Sequence, residues 1–437
     1  MDLLSFQKLA NHFQGQSYFQ QRGKVTKVVG MTLEVEGLTA FVGEVCDVYS
    51  TTEQNVSISA EVVGFQDGKV LLMPLGKILG IGPNSVVIPT KKPFQVCVGE
   101  HLLGKILDGL GNPIKEEQLQ GQPMSIDRDP PNPLTRTRIQ SVLSTGVRAI
   151  DGLLTVGEGQ RMGIFAGSGV GKSTLLGMVS RYSEADINVI CLIGERGREV
   201  LEFIERDLGS EGMKKTVVVC ATSDQPSLIR IKSAYVATTI AEYFRDQGKK
   251  VMLMMDSVTR FAMAQREVGL AIGEPPTSKG YTPSVFALLP SLLERSGMSD
   301  KGSITAFYTV LVDGDDMNEI IADTVRGILD GHIVLSRKIA ARNHYPAIDV
   351  NASISRLMKE LVTEEHYQVA GMFRDSLSIY QENEDLISVG AYKKGNNLKL
   401  DQAVMRIDRM NDFLKQRVED GCLFEETTQQ LSQVIGE

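Results

Sequence analysis

The sequence predicts three architectures in series: a small amino-terminal β-barrel or sandwich, a central α/β unit on a mainly parallel sheet, and a helical carboxyl-terminal segment. Three observations carry this. After a short leading segment, closely spaced runs of alternating apolar and polar residues occupy most of the first ninety residues with no helical pattern between them. Apolar strands then alternate with helical stretches from about Val142 to Tyr345. The last seventy-odd residues place apolar side chains at helical spacing.

The segment Asp2 to Phe13 carries Leu3, Phe6, Leu9, Ala10 and Phe13 at near-helical spacing. It reads as a short leading helix that either binds a partner or caps the barrel. Strands follow over Lys24 to Gly30, Thr32 to Gly37 and Phe41 to Val48, and Ala60 to Phe65 and Lys69 to Met73 flank a Gln66-Asp67-Gly68 turn. Proline and glycine cluster at Pro89 to Pro93 and again from Gly109 to Pro133, where no helix can continue, so both stretches read as linkers or loops. In the central unit Arg161 to Ala166, Ile187 to Ile193, Thr216 to Ala221, Val251 to Asp256 and Ile304 to Val310 are strand-like, and a long helix runs from Ser227 to Gln247 until Gly248 ends it. The clearest late helix is Lys399 to Gln416, with Leu400, Ala403, Ile407, Met410 and Leu414 on one face. The expected domains are 1–90, 91–360 and 361–437.

Composition narrows the function classes. The 437 residues fit two or three domains, and 42% apolar with 23% charged residues is an ordinary globular balance that excludes general disorder. Lys plus Arg number 46 against 54 Asp plus Glu, a net charge of -8, so no global positive field draws the chain to nucleic acid or anionic lipid. No basic-then-apolar leader follows Met1-Asp2, and no run approaches the roughly 18 apolar residues of a membrane span, so a soluble cytosolic chain is expected. Cys46, Cys97, Cys191, Cys220 and Cys422 stand singly, and the histidines show no metal-ligand spacing. Neither a disulfide framework nor a zinc site is expected.

The strongest signal is Ala166-Gly167-Ser168-Gly169-Val170-Gly171-Lys172-Ser173, after an apolar strand and before a helix that continues through Thr174. Glycines let the backbone N–H groups of this loop converge on one point, where the helix adds its positive end; a polyphosphate fits that nest. Lys172 would meet the β and γ phosphates and the Ser173 hydroxyl would ligate Mg²⁺. The strict pattern has glycine where this chain has Ala166. An acidic strand end completes a magnesium shell, and Asp256 closes the apolar run Val251 to Met255. Hydrolysis also needs a group that orients the attacking water. Glu195, directly after the strand Ile187 to Ile193 and Gly194, can reach the same edge of the sheet and is the expected catalytic carboxylate. Arg196 and Glu199 either position phosphate and metal-bound water or form a plain charged turn.

These segments together resemble the catalytic subunit family of rotary ATPases. The likeness includes Asp256-Ser257-Val258-Thr259-Arg260-Phe261, Gly273-Glu274-Pro275-Pro276, Leu292-Leu293-Glu294-Arg295 and Tyr345-Pro346-Ala347-Ile348-Asp349, and it runs through nearly the whole chain. Within that family the chain is most similar to the flagellum-specific export ATPases of type III secretion. The resemblance implies a barrel, a RecA-like P-loop NTPase domain and a helical domain in a ring of six, with the active site between neighbours. It implies that Arg356, in Asn351-Ala352-Ser353-Ile354-Ser355-Arg356, reaches a neighbour's γ phosphate as an arginine finger, and that Tyr345 either packs on adenine or serves the core. ATP and Mg²⁺ are the implied cofactors. The implied partners are central- and peripheral-stalk export proteins, the export gate, export chaperones and their substrates. They would hold the chain peripherally at the cytoplasmic face of a membrane export apparatus, with no specific nucleic acid.

Proton-driven relatives carry an acidic loop where this chain has Gly390-Ala391-Tyr392-Lys393-Lys394-Gly395-Asn396-Asn397, which resembles the export branch. Glu195 argues against a noncatalytic sister subunit. Three classes stay in view: a flagellar or injection-type export ATPase, the catalytic subunit of a proton-translocating ATPase, and a ring-shaped RNA translocase. The last would need basic residues interleaved with stacking aromatics near the amino terminus, and the first ninety residues show no such cluster.

Overall fold

The computed structural model describes residues 21–51, 56–115, 121–312, 314 and 316–436. It divides into two compact units, one holding the chain to Phe94 with Ala271–Gly273 and the other the remainder. The expected leading helix, Asp2 to Phe13, lies outside the described residues.

The first unit is a closed barrel, which decides between barrel and sandwich. Strands β1 (Gly23–Val29), β2 (Thr32–Glu36), β3 (Glu44–Tyr49), β4 (Ser57–Gln66), β5 (Lys69–Pro74) and β6 (Val86–Pro93) close in the order β1-β2-β5-β4-β3-β6. Alternation sends Val25, Leu33, Val35, Cys46, Val48, Val62, Leu72 and Val87 inward as one core. Asp67 and Gly68 both take positive φ, as a two-residue hairpin turn requires. The proline cluster at Pro89 to Pro93, expected as a linker, is instead the closing strand β6. It pairs with β1 at Gly23↔Val87 and with β3 at Asp47↔Ile88. Proline is tolerated there because the β3–β6 register shifts between Glu44 and Cys46, so ladder donors are not demanded at each position. The buried Glu44 carboxylate substitutes for part of the ladder, accepting the Lys91 N–H at 2.8 Å and the Phe41 N–H at 3.1 Å.

In the second unit a nine-stranded sheet follows the order β17-β16-β10-β15-β13-β11-β12-β8, with β14 paired to β15. Its strands are β8 (Ile106–Asp108), β10 (Arg161–Ala166), β11 (Ile187–Ile193), β12 (Thr216–Ala221), β13 (Lys250–Asp256), β14 (Gly297–Met298), β15 (Ser303–Leu311), β16 (Gly331–Leu335) and β17 (Ile348–Ser355). The strands β7 (Gln95–Val98) and β9 (Gln122–Ser125) pair separately. Five of these match the expected apolar runs. The missed β16 and β17 are half-buried, with polar residues facing out, so their pattern carries less signal than the fully buried β11, β12 and β15.

Pairing is parallel from β8 through β16, and β17 and β14 run antiparallel. The carboxyl ends of β10, β11 and β13 therefore lie along one edge.

Seven helices matter to the site: α1 (Arg148–Leu153), α2 (Lys172–Tyr182), α3 (Ser227–Asp246), α4 (Val258–Ala271), α5 (Glu364–Ser388), α6 (Leu398–Leu414) and α7 (Phe424–Ile435). Helices α5 to α7 share a core with the sheet unit, where Phe373, Met410, Phe413 and Leu431 join Ile150 and Leu153. Thr363 caps α5 through the His366 N–H, and Asn397 caps α6 through the N–H groups of Lys399 and Leu400. The loop Gly390 to Asn397 is tied to α6 by Asp401, which accepts the Tyr392 hydroxyl at 2.6 Å and the Gly395 N–H at 2.8 Å. Among the described residues no helix is long and apolar enough to cross a membrane.

Candidate active site

The phosphate loop curls as its glycines allow. Gly169 and Gly171 have φ of 78° and 89°, a region that side chains with a Cβ avoid. Val170 turns into the core while Ser168 is exposed. Gly167 to Thr174 thus present a concave run of backbone at the start of α2. A cleft of about 230 Å³, lined by Phe165, Ala166, Gly167, Val312, Leu335 and Ser336, opens along this edge.

Parallel register brings the charged groups together. Asp256 is the last residue of β13 and pairs with Leu192 of β11, so Glu195 emerges three residues farther along the same edge. Lys172 Nζ contacts Asp256 Oδ1 and stands 3.7 Å from Glu195 Oε1. The Thr309 hydroxyl, from β15, donates to Asp256 Oδ1 at 2.7 Å and fixes its orientation. Burial opposes the Lys172 charge, but Asp256 and Glu195 outweigh it and hold the ammonium above its ordinary pKa. Burial pushes the Glu195 carboxyl up to about 7, and the Asp256 charge adds to the rise; Lys172 and Arg260 pull the other way.

Other expected residues separate. Glu199 lies beside Glu195 and adds to the rise of its pKa. Arg196 is 79% exposed and pairs with Glu199 at 3.1 Å, an outward contact of little energetic weight. Tyr345 lies against the loop, since a Cβ on Gly171 would sit 3.5 Å from its ring. Arg356 lies elsewhere. Ser355 pairs with Gly331, which pairs with Met162 at the start of β10, whereas the phosphate loop leaves its end at Ala166. That places Arg356 roughly 13 Å or more away along the strand direction, at the opposite edge. It is exposed there, its guanidinium donating to the Arg326 carbonyl at 3.3 Å.

Two residues of the site had no assigned role from sequence. Thr309 is a buried polar residue inside an apolar strand, and that contrast is the signal that could have found it. Arg260 opens no pattern of its own; it packs beside Gly194, whose φ of 69° favours glycine and where a Cβ would lie 3.3 Å from the Arg260 side chain.

A phosphate nest with one lysine between two strand-end carboxylates defines a P-loop nucleotide-binding protein, and comparison with known proteins agrees. Residues 146–355 match the ATP synthase alpha/beta family nucleotide-binding domain, and residues 25–91 match that family's beta-barrel domain. Residues 362–433 match the T3SS EscN ATPase C-terminal domain. A flagellum-specific ATP synthase of Bacillus subtilis is 54% identical over 96% of both chains. A type 3 secretion system ATPase of Xanthomonas euvesicatoria is 53% identical over 94% of this chain and 93% of its own. Among solved structures, the assembled ATPase EscN of enteropathogenic E. coli superposes with a TM-score of 0.89 at 45% identity, covering 94% of this chain and 100% of EscN. The chain belongs to the family of flagellum-specific and type III secretion ATPases.

Proposed function

We propose that this chain, an ATP-hydrolysing export ATPase by family, uses Mg²⁺ and ATP to energise protein export through a flagellar type III apparatus. The observation that carries the chemistry is the convergence of Lys172, Glu195 and Asp256 on the phosphate loop, with Glu195 titrating near neutrality. Backbone N–H groups of Gly167, Ser168, Gly169, Val170, Gly171, Lys172, Ser173 and Thr174 cradle the phosphates, and Lys172 turns from its carboxylates to the β and γ oxygens. Glu195 orients the attacking water and takes its proton; a base with a pKa near the working pH combines availability with driving force.

Ser173 and Asp256 offer the hard oxygen donors that magnesium prefers, and Mg²⁺ commonly needs only one or two protein ligands beside phosphate. Bound there, it would offset charge on the β and γ phosphates. Glu199 supports Glu195, and the exposed Arg196 pairs with Glu199. Tyr345 faces the base.

Arg356 serves a neighbouring copy, because its own phosphate loop is at the other edge of the sheet. A guanidinium arriving across an interface stabilises the transferring phosphoryl group and makes turnover depend on assembly. This favours a homohexamer; EscN has been seen assembled and in complex with its central stalk EscO. Central- and peripheral-stalk proteins, the export gate, chaperones and substrates are the partners proposed here, with the ring held peripherally at the cytoplasmic face of the membrane. The match of the carboxyl segment to export ATPases favours this reading over a proton-translocating subunit. The test pairs two variants: Lys172→Ala loses nucleotide binding, whereas Glu195→Gln binds ATP and does not hydrolyse it. Turnover by Glu195→Gln at the unmutated rate would refute the assignment of the base. Co-purification with flagellar rod or hook components, rather than injection components, checks the export branch.

A further inference from the structure

Gln416 joins three parts of the chain that are distant in sequence. Helix α6 ends at Leu414, so this residue sits just beyond it in an extended segment, yet it is buried. Its side-chain amide donates to the carbonyls of Gly146, at 2.7 Å, and Asp420, and its amide oxygen accepts the Arg148 N–H at 2.8 Å. Its backbone N–H donates to the carbonyl of Tyr345 at 3.0 Å.

The anchor at Gly146 is rigid. Asp151, buried at the amino-terminal part of α1, accepts the N–H groups of Thr145 and Gly146 and the hydroxyls of Ser144 and Thr145 within 3.2 Å. Gly146 has φ of 74°, and a Cβ there would lie 2.3 Å from Tyr182 Cβ, so the turn is closed down onto the end of the phosphate-loop helix α2. The Gly146 carbonyl also accepts the Cys422 N–H at 3.2 Å. From the same strap, the Val418 carbonyl accepts from Arg181 at 2.7 Å and from the Tyr182 hydroxyl at 3.2 Å, both at that end of α2.

A fixed turn thus holds the Gln416 side chain, and the backbone of the same residue holds Tyr345, whose ring stands against the phosphate loop. We propose that Gln416 is a positioning residue for the nucleotide base, setting Tyr345 against Gly171 and linking base recognition to the placement of the carboxyl-terminal helices. This rests on the reading that Tyr345 faces adenine. Loss of the side-chain bonds should free the strap and Tyr345 with it, while leaving the phosphate nest intact. Two ligands that share a triphosphate and differ in the base therefore separate positioning from general damage.

The full chain contains no tryptophan, so Tyr345→Trp supplies a single fluorescent reporter. Gln416→Met keeps the length of the side chain and removes its hydrogen bonds. With Mg²⁺ present, it is expected to weaken ATP binding roughly tenfold and to leave inorganic tripolyphosphate within about twofold. In the Tyr345→Trp background, Gln416→Met should also increase iodide quenching of the indole without ligand. Equal weakening of both ligands, or no change in either, overturns the role of Gln416. Tyr345→Ala is the control: if it leaves the preference for ATP over tripolyphosphate unchanged, the adenine reading itself fails. If Tyr345→Ala lowers that preference and Gln416→Met does not, only the positioning role falls. Should Gln416→Met not fold, Gln416→Glu, which keeps the acceptor for Arg148 and loses donation to Gly146, is read in the same way. Failure of both variants to fold makes Gln416 part of the framework and overturns the proposal.

Discussion

Replacing Glu195 by glutamine should both stop turnover and stabilise the nucleotide-free protein at alkaline pH. A carboxyl whose folded pKa is about 7 rather than 4.5 binds its proton more tightly in the native state. Its contribution is therefore unfavourable to folding once the proton must leave: stability falls as pH rises from about 4.5 to about 7 and is flat beyond. At about 1.4 kcal/mol per pH unit the upper bound on this cost is about 3.5 kcal/mol. The side chain is 14% exposed, and solvent screening brings the expected figure to on the order of 1–2 kcal/mol. Glutamine cannot ionise, and Lys172 keeps Asp256 as its partner, so no buried ammonium is orphaned. Urea denaturation of wild type and Glu195→Gln at pH 5 and pH 8 measures the effect. The variant should gain stability over wild type at pH 8 and gain less at pH 5. A variant equally or less stable than wild type at pH 8 would refute the strained, buried carboxylate, whatever its activity.

The kcat/KM of the unmutated protein for ATP, which reports the nucleotide-free enzyme, should rise with pH through a midpoint near 7, since Glu195 must be ionised to accept a proton; a kcat/KM that stays constant between pH 6 and 8 would contradict this. Arg356→Ala should lower steady-state ATPase activity by roughly 10³ with assembly preserved. Mixing it with Lys172→Ala should restore part of that activity by pairing an intact finger with an intact loop; no recovery in the mixture counts against a shared site. Arg295→Met should destabilise the fold by about 3–5 kcal/mol in chemical denaturation, because Arg295 and Glu242 are both 1% exposed and paired at 2.7 Å. The outer partner Arg128 approaches Glu242 at 3.2 Å and should limit the loss toward the lower value; an unchanged midpoint would show that the pair contributes nothing net.

The phosphate loop was legible because all its determinants are local. Glycines at 167, 169 and 171, a preceding apolar strand and a following helix lie within a short stretch, and each acts through backbone geometry. Asp256 and Glu195 were legible as strand ends, since an apolar run that stops at a carboxylate marks its own edge. The proline-rich β6 misled for the same local reason: Pro89 and Pro93 lack N–H donors, and only the shifted register against β3, with Glu44 in support, makes them acceptable in a barrel.

Sequence by itself determined the phosphate-loop pattern with its flanking strand and helix, the carboxylates at the neighbouring strand ends, and the order of barrel, sheet and helices. Tertiary structure decided what those residues do to one another. The rise in the Glu195 pKa comes from burial beside Asp256 on a neighbouring strand, and Thr309 enters the site only through β15. Arg356 is separated from its own loop by the reversal of β17, and Gln416 touches Tyr345 across seventy-one positions of chain. Backbone conformation is encoded over a few neighbouring residues, whereas desolvation, register and long-range hydrogen bonds exist only once distant segments have packed.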